Sequence, residues 1–412
     1  MRIGFVIQRY GEGVVGGAER YVESMATGLA AAGHDVEVVT SCATSYADWA
    51  DEFPAGTVVE SGVTVHRLPG RAPRDNDRFI PLHLRAVDQR QEPLWPWAQD
   101  RWSQTMGPDL LGAEEVVADV AARCDATVLV GYHYGPTQRL TEVAASAGAT
   151  VVIPTAHPEG AFHVGVVRRM FEHADHVVCL APEEGDLIAA VHGCGDRISY
   201  VPCPVDPLEV PDRDAVAAAA RAVGATPGRY VVVVGRVDPA KGSDDAVRYI
   251  GHYRRALDPS LELVVVGPGD TSGVVPDGVR PTGFVDEATK EALVAGAAVV
   301  LQPSYMESFS LALVEGWLLH RPALVQGRSR VLRGHVERSG GGFEYRDYPG
   351  FEAGLTAVLA EPGLADRLGA LGYAYARREF DWDRVAPAFL EAMTLAAERG
   401  GRRLATRARV AP

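Results

Sequence analysis

Lysine is nearly absent from this sequence of 412 residues. Only Lys241 and Lys290 occur, so arginine supplies almost all of the 40 basic side chains. Lysine is a compact point charge that suits phosphate, and a chain that otherwise uses arginine has little reason to place one casually. We therefore expect Lys241 to bind an anion. The alternative is that one of two lysines lies near such a site by chance.

Cysteine is also scarce, and its five positions form no framework. The count is odd and no C-x-x-C spacing occurs, which argues against disulfide bonds and favours a reducing compartment. His192, Cys194 and Cys203 do not match the spacing of a zinc site, so no metal site is predicted there.

Long apolar runs are missing as well. No stretch approaches the ~18 residues that are needed to span a bilayer. The opening MRIGFVIQRY has too short an apolar core for a signal peptide and lacks a small-residue cleavage site. We read this opening as a first strand and expect a cytoplasmic protein.

Basic residues are fewer than acidic ones, so the net charge is −14. This argues against sequence-independent binding to nucleic acid or to an anionic membrane, since both need a cationic face. From Arg71 to Gln104 the periodicity fades, and arginines alternate with Trp95, Trp97 and Trp102. Such a pattern can bind nucleic acid or a membrane surface. Its four prolines and the acidic chain instead favour an irregular excursion or the wall of an acceptor pocket.

The amino-terminal half alternates between strands and helices. Arg2 to Gln8 is continuously apolar, as a buried parallel strand should be, and it leads into the glycine-rich loop GEGVVGGAER. Glycines at such a place let backbone N–H groups approach a phosphate at a helix start. A helix from Tyr21 to Ala32 and a strand from Val36 to Thr40 follow. Further helices are predicted at 111–123, 138–147 and 162–173, and further strands at 126–131, 150–155 and 176–180.

The glycine-rich loop also raises the possibility of a dinucleotide site. Gly11, Gly13 and Gly16 match G-x-G-x-x-G, which is typical of NAD-dependent oxidoreductases. The acid that binds the ribose in such enzymes ends the second strand, where this chain has Thr40 and Ser41. The match alone is weak, so an oxidoreductase stays an alternative.

A second doubly wound unit begins after the proline-rich segment VPCPVDPLEVPD. Tyr230 to Val234 reads as a buried strand that leads into GRVDPAKGSDDAV and a helix reaching Ala256. Arg236 at the end of the strand and Lys241 five residues later can both turn toward an anion at the helix start. Further strands are predicted at 261–267, 298–301 and 323–326.

Two carboxylates occupy the stretch AAVVLQPSYMESFSLALVEGW. It reads as a buried strand, a Pro-Ser turn and a helix from about Ser310 to Leu319, with Glu307 ahead of the helix and Glu315 in its second turn. Loops at the carboxyl ends of parallel strands border the ligand crevice of an open sheet, so both acids can face one crevice. The alternative is a pair of solvated acids, but Glu315 has apolar neighbours, among which an unpaired charge is costly.

Four elements in order, GGAER, VGRVDPAKG, TGFVDEA and SYMESFSLALVEGW, resemble the GT4 family of nucleotide-sugar-dependent retaining glycosyltransferases. The resemblance implies an α/β protein of the GT-B fold, with two doubly wound Rossmann-like domains facing an interdomain cleft. Ser310 and Gly316 depart from it, because the family more often has Gly and Ala there.

The resemblance also implies domain boundaries. Residues 1–206 would form the acceptor-binding domain, with a helix at 381–400 packing back onto it. Residues 207–380 would bind the nucleotide sugar. Residues 401–412 read as a disordered basic tail.

Most of the implied site residues lie in the second half. Arg236 and Lys241 would clamp the diphosphate of the donor. Glu307 would hold hydroxyls of the donor sugar, and Glu315 those of the ribose. Other residues implied in this half line the base or form the start of the helix that follows Glu307: Phe284, Val285, Ser308, Phe309 and Ser310.

The first half would contribute the acceptor side of the site. By the resemblance, Gly16 and Gly17 face the donor diphosphate and the acceptor, and His157 lies near the reacting centre. His133 is a weaker candidate for a contact with the acceptor.

The implied activity is the metal-independent transfer of a sugar, with retention of configuration, from a nucleotide-diphosphate sugar to an acceptor. No cofactor is implied, and a diphosphate oxygen would take the acceptor proton. The acidic character and the tryptophan-containing stretch favour a small molecule or secondary metabolite as acceptor. The alternatives are assembly of a cell-envelope or polysaccharide glycan and, in a different class, a non-catalytic protein that binds sugar nucleotides. Neither nucleic acid nor membrane is an expected partner.

Two short acidic segments match the D-x-D metal motif of a different glycosyltransferase fold. They are Asp75-Asn76-Asp77 and Asp212-Arg213-Asp214. Neither follows a strand, so we read both as solvated loop acids.

Overall fold

The computed structural model describes residues 1–236, 241–269 and 275–410. They divide into two compact units. The first comprises Met1–Pro204 together with the chain from Val385 onward, and the second comprises Val205–Arg384. The chain passes from one unit to the other within the proline-rich segment VPCPVDPLEVPD.

The first unit is built on a single sheet. Its strands are β1 (Arg2–Val6), β2 (Asp35–Ser41), β3 (Gly56–Glu60), β4 (Val63–Leu68), β5 (Ala126–Val130), β6 (Thr150–Ile153), β7 (His176–Cys179) and β8 (Ile198–Tyr200). They are arranged in the order β3-β4-β2-β1-β5-β6-β7-β8. β3 pairs antiparallel with β4, and the other neighbours pair in parallel. The hairpin of β3 and β4 was not predicted from the sequence.

Helices cover this sheet. They are α1 (Gly17–Ala31), α2 (Asn76–Val87), α3 (Pro96–Met106), α4 (Ala113–Arg123), α5 (Gly135–Ala147), α6 (Gly165–His173) and α7 (Pro182–His192). β5 and β6 are buried along their whole length. This agrees with their continuous apolar sequences, because a parallel strand between two helical layers has no solvent-facing side.

Of the two alternatives for Arg71 to Gln104, the irregular excursion was wrong, because α2 and α3 occupy much of the stretch. The wall of an acceptor pocket stays a prediction. Asp75 caps α2 by accepting the N–H groups of Asp77 and Arg78, and Pro96 stands at the start of α3, where a missing N–H costs nothing. Trp102 is fully buried in the core. Asp75 and Pro96, which suggested a loop, therefore mark the beginnings of helices, whereas Pro81 lies inside α2.

The second unit also has one sheet. Its strands are β9 (Tyr230–Val234), β10 (Glu262–Val266), β11 (Val279–Gly283), β12 (Val299–Gln302), β13 (Ala323–Gln326) and β14 (Gly342–Tyr345). They are arranged in the order β11-β10-β9-β12-β13-β14 and pair in parallel. Its helices are α8 (Arg213–Ala222), α9 (Ser243–Ala256), α10 (Glu287–Ala295), α11 (Leu311–Leu318), α12 (Arg330–Ser339), α13 (Tyr348–Ala360) and α14 (Leu364–Glu379).

Asp212 was predicted to be a solvated loop acid, as was Asp75. The structure instead makes it the cap of α8, because its carboxylate accepts the N–H of Ala215 at 2.7 Å. Both D-x-D segments are thus helix starts, where a short acidic side chain satisfies N–H groups that have no partner inside the helix.

Each sheet has one place where the strand order reverses. In the first unit β1 lies between β2 and β5, and in the second β9 lies between β10 and β12. The loops that follow β1 and β5, or β9 and β12, therefore leave their sheet in opposite directions. Open α/β sheets bind ligands in the crevice that opens between such loops.

The last helix, α15 (Trp382–Val410), contradicts the prediction of a disordered basic tail at 401–412. The helix continues because its basic residues have partners in the first unit. Arg403 forms an ion pair with the buried Asp175 at 2.8 Å. Nearer its start, the ring of Phe389 stacks on that of Phe5 with 6.0 Å between centroids. Within the described residues, no helix is long and apolar enough to cross a bilayer.

Candidate functional site

The start of α9 is held against the loop after β12. Gly242 caps α9 with φ +73°, and a Cβ there would lie 2.2 Å from the backbone oxygen of Pro303. Only glycine allows this close approach. The glycine of the predicted GR-x(4)-KG element thus brings Lys241 beside the loop that carries Glu307. The intervening residues of that element, Val237 to Ala240, lie outside the described residues.

Lys241 and Glu307 form an ion pair. The Nζ of Lys241 lies 2.8 Å from Oε1 of Glu307, and their side chains are 39% and 14% exposed. The sequence predicted one of them for a diphosphate and the other for sugar hydroxyls. The structure brings the two together at the ends of neighbouring strands, at the reversal point of the second sheet.

A second lysine–glutamate pair lies deeper. Lys290 on α10 places its Nζ 3.1 Å from Oε2 of Glu315 on α11, and the two side chains are only 11% and 6% exposed. Lys290 also contacts Glu287 at 2.6 Å. Both lysines of the chain are therefore paired with Glu307 and Glu315, the two carboxylates of the stretch SYMESFSLALVEGW. The scarcity of lysine was the signal that could have identified Lys290, to which the sequence analysis gave no role.

Arg236 is exposed at the carboxyl end of β9. It follows Gly235, which has φ +141°. A Cβ on Gly267, at the end of β10, would lie 2.1 Å from the backbone oxygen of Gly235. Glycine at 267 thus lets the two strand ends pack closely just ahead of Arg236.

The segment between Glu307 and α11 is partly buried. Ser308 and Phe309 are both buried. The ring of Phe309 packs edge-on against Phe380, with 5.1 Å between centroids, and against His335 at 5.5 Å. The side chain of Phe309 is therefore a core residue, and any ligand contact at this position is expected from its backbone.

Ser310 has an unusual backbone. It precedes α11 with φ +88°, in the region that favours glycine. This explains why the GT4 pattern more often has glycine here. A non-glycine residue in this region is typically strained, and such strain tends to occur at functional sites.

Ser310→Gly is expected to stabilise the protein by roughly 1 kcal/mol, because relief of the strain outweighs the extra freedom of glycine in the unfolded chain. Urea unfolding would measure it. The matched control is Ser329→Gly at the start of α12, where φ is −73° and the hydroxyl accepts the N–H of Leu332. We expect this control to lose a few tenths of a kcal/mol. Equal losses in both variants would show that Ser310 is unstrained.

Phe284 and Val285 follow β11. Phe284 is 70% exposed, whereas Val285 packs against the apolar core of the second unit. Asp286 then caps α10 by accepting the N–H of Thr289 at 2.8 Å. Phe284 thus presents an exposed ring at the carboxyl end of its strand.

In the first unit, the loop after β1 is fixed by a buried ion pair. Glu19, the acid of the GGAER segment, accepts hydrogen bonds from Nε2 of Gln8 at 2.9 Å and from Nε of Arg9 at 3.0 Å. A Cβ on Gly16 would lie 2.0 Å from Oε2 of Glu19, whereas the described residues leave the space around a Cβ on Gly17 empty to 4 Å. Gly16 is therefore needed for packing, and Gly17 leaves room beside the start of α1.

The two predicted histidines converge on an acid that the sequence analysis missed. Oε1 of Glu159 lies 3.4 Å from Nδ1 of His157 and 3.6 Å from Nδ1 of His133. The same oxygen accepts the hydroxyl of Tyr132 at 2.5 Å. Tyr132 and His133 follow β5, while His157 and Glu159 follow β6. The signal was available in VVIPTAHPEG, where the acid follows the histidine by two residues.

The charges of this cluster reflect its burial. Burial disfavours the Glu159 carboxylate, but contacts with His157, His133 and Tyr132 outweigh it and lower the pKa of Glu159 to about 2. Burial also lowers the pKa of His133 to about 4, although Glu159 opposes this shift. Near neutral pH, Glu159 is thus ionised and His133 is neutral.

The loop that carries His157 is held by a second buried acid. Glu184 accepts the N–H of Ala156 at 2.5 Å and that of Leu180 at 2.7 Å. Burial raises the pKa of Glu184 to about 8, against these two hydrogen bonds. Thr155, which precedes Ala156, has φ +51°. The backbone leading to His157 is therefore held in one unusual conformation.

The predicted residues thus form two groups, each within one unit. In the second unit Lys241 contacts Glu307, and Glu315 contacts Lys290. In the first unit His133 and His157 meet at Glu159, while Gly16 and Gly17 lie at the end of β1. In the part of the chain that the structure describes, no three His, Cys, Asp or Glu side chains are arranged to hold a metal ion.

Family models match both units. A model of the glycosyl transferase 4-like domain matches residues 16–204, and a model of glycosyl transferases group 1 matches residues 228–359. Each match lies inside one compact unit, and together they cover most of the chain.

Relatives match along different shares of the chain. Glycogen synthase of Mycobacterium tuberculosis is 26% identical over 426 aligned positions, covering 98% of this chain and 96% of the relative. D-inositol 3-phosphate glycosyltransferase of Segniliparus rotundus is 31% identical over 236 positions, covering 53% of this chain and 51% of the relative.

Solved structures share the fold at low identity. Sucrose-phosphate synthase from Thermosynechococcus elongatus superposes with a TM-score of 0.68 at 17% identity, covering 95% of this chain and 97% of that chain. Anabaena HepE, solved in complex with UDP and glucose, gives 0.69 at 15% identity, with 96% and 99% covered.

Proposed function

Because the chain belongs to the GT4 family of glycosyltransferases and has the GT-B fold, we propose that it moves a sugar from a nucleotide-diphosphate sugar to a hydroxyl acceptor. In this proposal configuration is retained and neither metal nor cofactor takes part. The observation that carries it is the contact of Lys241 with Glu307 at the reversal point of the second sheet. A cation suited to diphosphate and an acid suited to sugar hydroxyls meet there.

Binding of the donor would exchange the partners of this ion pair. The diphosphate takes Lys241, and the carboxylate of Glu307 is then available for two neighbouring hydroxyls of the sugar. The two parts of the donor are adjacent in the molecule, as the two side chains are in the site. The exchange keeps both charges partnered, so opening the pair costs little.

The nucleoside would lie toward the other edge of the site. Glu315 would hold the ribose hydroxyls while Lys290 stabilises its charge. The exposed ring of Phe284 and the backbone at Val285 would contact the base.

In the reaction the bond between the anomeric carbon and the diphosphate oxygen breaks, and the acceptor oxygen bonds to the same carbon. Negative charge grows on the leaving diphosphate. Arg236, Lys241 and the segment Ser308 to Ser310 just ahead of α11 therefore stabilise the transition state more than the ground state. The acceptor proton passes to a diphosphate oxygen, so His157 positions the substrates and is not a general base.

For the acceptor we propose a small, hydroxylated molecule that binds near Gly17, His133 and His157. A second candidate is glycan assembly, which is favoured by the full-length similarity to glycogen synthase. Comparing the rates of sugar transfer to short glucans and to small polyols would distinguish these two candidates. We further propose that the enzyme acts in the cytoplasm.

The first test is a thermal-shift screen of UDP, GDP, ADP and their sugars. We expect one nucleotide to raise the apparent stability by about 2.7 kcal/mol at a hundred times its dissociation constant. The nucleoside diphosphate released from the donor that binds would then be measured with and without acceptor. We expect release to be faster when the acceptor is present. If no nucleotide shifts the unfolding temperature, the proposal fails. Binding without turnover would identify a sugar-nucleotide-binding protein instead.

A further inference from the structure

One carboxylate oxygen organises the ends of two neighbouring strands in the first unit. Oε1 of Glu159 accepts the Tyr132 hydroxyl at 2.5 Å and lies within 3.6 Å of Nδ1 on both His133 and His157. Tyr132 is buried and packs edge-on against Phe162, with 5.3 Å between centroids. The buried Tyr132 therefore holds the Glu159 carboxylate from the core side. The same oxygen also contacts the partly exposed rings of His133 and His157.

The contacts decide which ring nitrogen carries hydrogen. An ionised carboxylate only accepts hydrogen bonds, so a neutral imidazole that faces it through Nδ1 must carry its hydrogen there. The other nitrogen, Nε2, then has a lone pair. Within the described residues, neither Nε2 has a hydrogen-bonding partner. The distances of 3.4 and 3.6 Å are long, as such contacts often are before a substrate binds.

We propose that Glu159 is a positioning residue that holds His133 and His157 in the Nδ1–H tautomer and so presents two Nε2 acceptors to hydroxyl groups of the glycosyl acceptor. The inference rests on the proposed function, because it assumes that the acceptor binds at the ends of β5 and β6. The chemical class that fits is a neutral polyol with at least two hydroxyls that donate. A carboxylate or a fully ionised phosphate has no hydrogen to donate, and any anionic group would be repelled by the Glu159 charge.

The surroundings keep His133 neutral. Its ring centroid lies 6.1 Å from that of His83 and 5.8 Å from that of Tyr134. Burial lowers the pKa of His83 as well, and Arg74 disfavours protonation of both rings. Among the described residues, Glu159 is the acid that opposes these effects on His133, and the nearby His157 adds to them. A neutral His133 ring with its hydrogen directed at Glu159 agrees with these surroundings.

His83 supplies a natural control. The indole N–H of Trp102 points at Nδ1 of His83 at 3.3 Å. An indole nitrogen only donates, so Nδ1 of His83 must accept and its hydrogen must lie on Nε2. We therefore expect opposite tautomers in one protein.

The test is long-range ¹H–¹⁵N correlation NMR on the full chain labelled in histidine, with assignments from His83→Asn, His133→Asn and His157→Asn. We expect Nδ1–H at His133 and His157 and Nε2–H at His83. Glu159→Gln should move His133 and His157 toward a mixture of tautomers, whereas Tyr132→Phe, which removes only the third partner, should leave both unchanged. Nε2–H at His133 or His157 in the wild-type protein would overturn the proposal, even if the variants fail to fold.

Kinetics give a second measure. With UDP-glucose or whichever sugar nucleotide the screen identifies, and with myo-inositol and hexoses as acceptor probes, Glu159→Gln should raise the acceptor KM about tenfold, as expected for weakened hydrogen bonds. The donor KM should change much less than the acceptor KM. An unaltered acceptor KM would contradict the proposal. Failure of nucleotide binding in the wild-type protein would instead count against the proposed function. The NMR measurement of the histidine tautomers does not depend on that result.

Discussion

Arg236→Ala and Lys241→Ala each abolish the stabilisation by nucleoside diphosphate and lower kcat/KM for sugar transfer by about 10²–10³-fold, the loss expected when one charge that stabilises a leaving group is removed. The two side chains come from the two ends of the segment between β9 and α9. Neither can replace the other, because each would contact different phosphate oxygens. Thermal shift with the nucleotide and initial rates with its sugar measure the two effects separately.

A matched control and a reciprocal variant sharpen this prediction. Arg367→Ala removes an exposed arginine whose partner, Glu361, is also exposed, and it should change neither binding nor rate. Glu307→Gln removes the acid that pairs with Lys241, so binding of the diphosphate alone should be retained or tightened while transfer falls by a similar factor. Unchanged nucleotide binding in both Arg236→Ala and Lys241→Ala would refute the diphosphate clamp. Loss of diphosphate binding in Glu307→Gln would refute the exchange of partners.

The family, the two-domain α/β fold and the glycosyltransferase class predicted from the sequence are confirmed. The prediction worked best where a strand is buried on both faces. Tyr230–Val234 and Ala323–Gln326 were predicted with their observed bounds. A continuous apolar run bounded by glycine or proline has few other ways to fold.

Helix starts were harder to predict. Asp75 and Pro96 read equally well as loop residues and as residues at the start of helices. The three-dimensional structure decides between them, because Asp75 accepts the first N–H groups of α2 and Trp102 of α3 is buried. The basic end of the chain was misjudged for a similar reason. Arg403 looked like part of a tail because its partner, Asp175, is more than 200 positions away in the sequence.

The site shows the same limit. Motifs identified Lys241, Glu307 and Glu315, because their local spacing is distinctive. They did not identify Lys290 or Glu159, whose contacts are with side chains on other elements. The functional roles proposed for all of these residues, and for Arg236, Phe284 and the glycines of the first unit, stay predictions, since they depend on a ligand. Pairing between elements is what the three-dimensional structure adds.

Lys290→Met is expected to lower the free energy of unfolding by about 3–5 kcal/mol, the cost of leaving one member of a buried ion pair behind. Glu315 is only 6% exposed and lies among apolar side chains of α11. Methionine fills the space of the lysine stem but offers no charge. Urea unfolding measures the loss. Lys290→Met should also weaken nucleotide binding, because Glu315 loses the cation that holds its carboxylate in place for the ribose hydroxyls.

The double variant Lys290→Met/Glu315→Leu separates stability from function. Replacing a buried pair by apolar side chains of similar size is often neutral, so we expect most of the lost stability to return. Nucleotide binding should not return, because the acid that would hold the ribose is gone. If the double variant recovers both stability and binding, the pair is purely structural and Glu315 has no ligand role. If it recovers neither, the two side chains do not act as an isolated pair, and Glu315 must support the fold through other contacts.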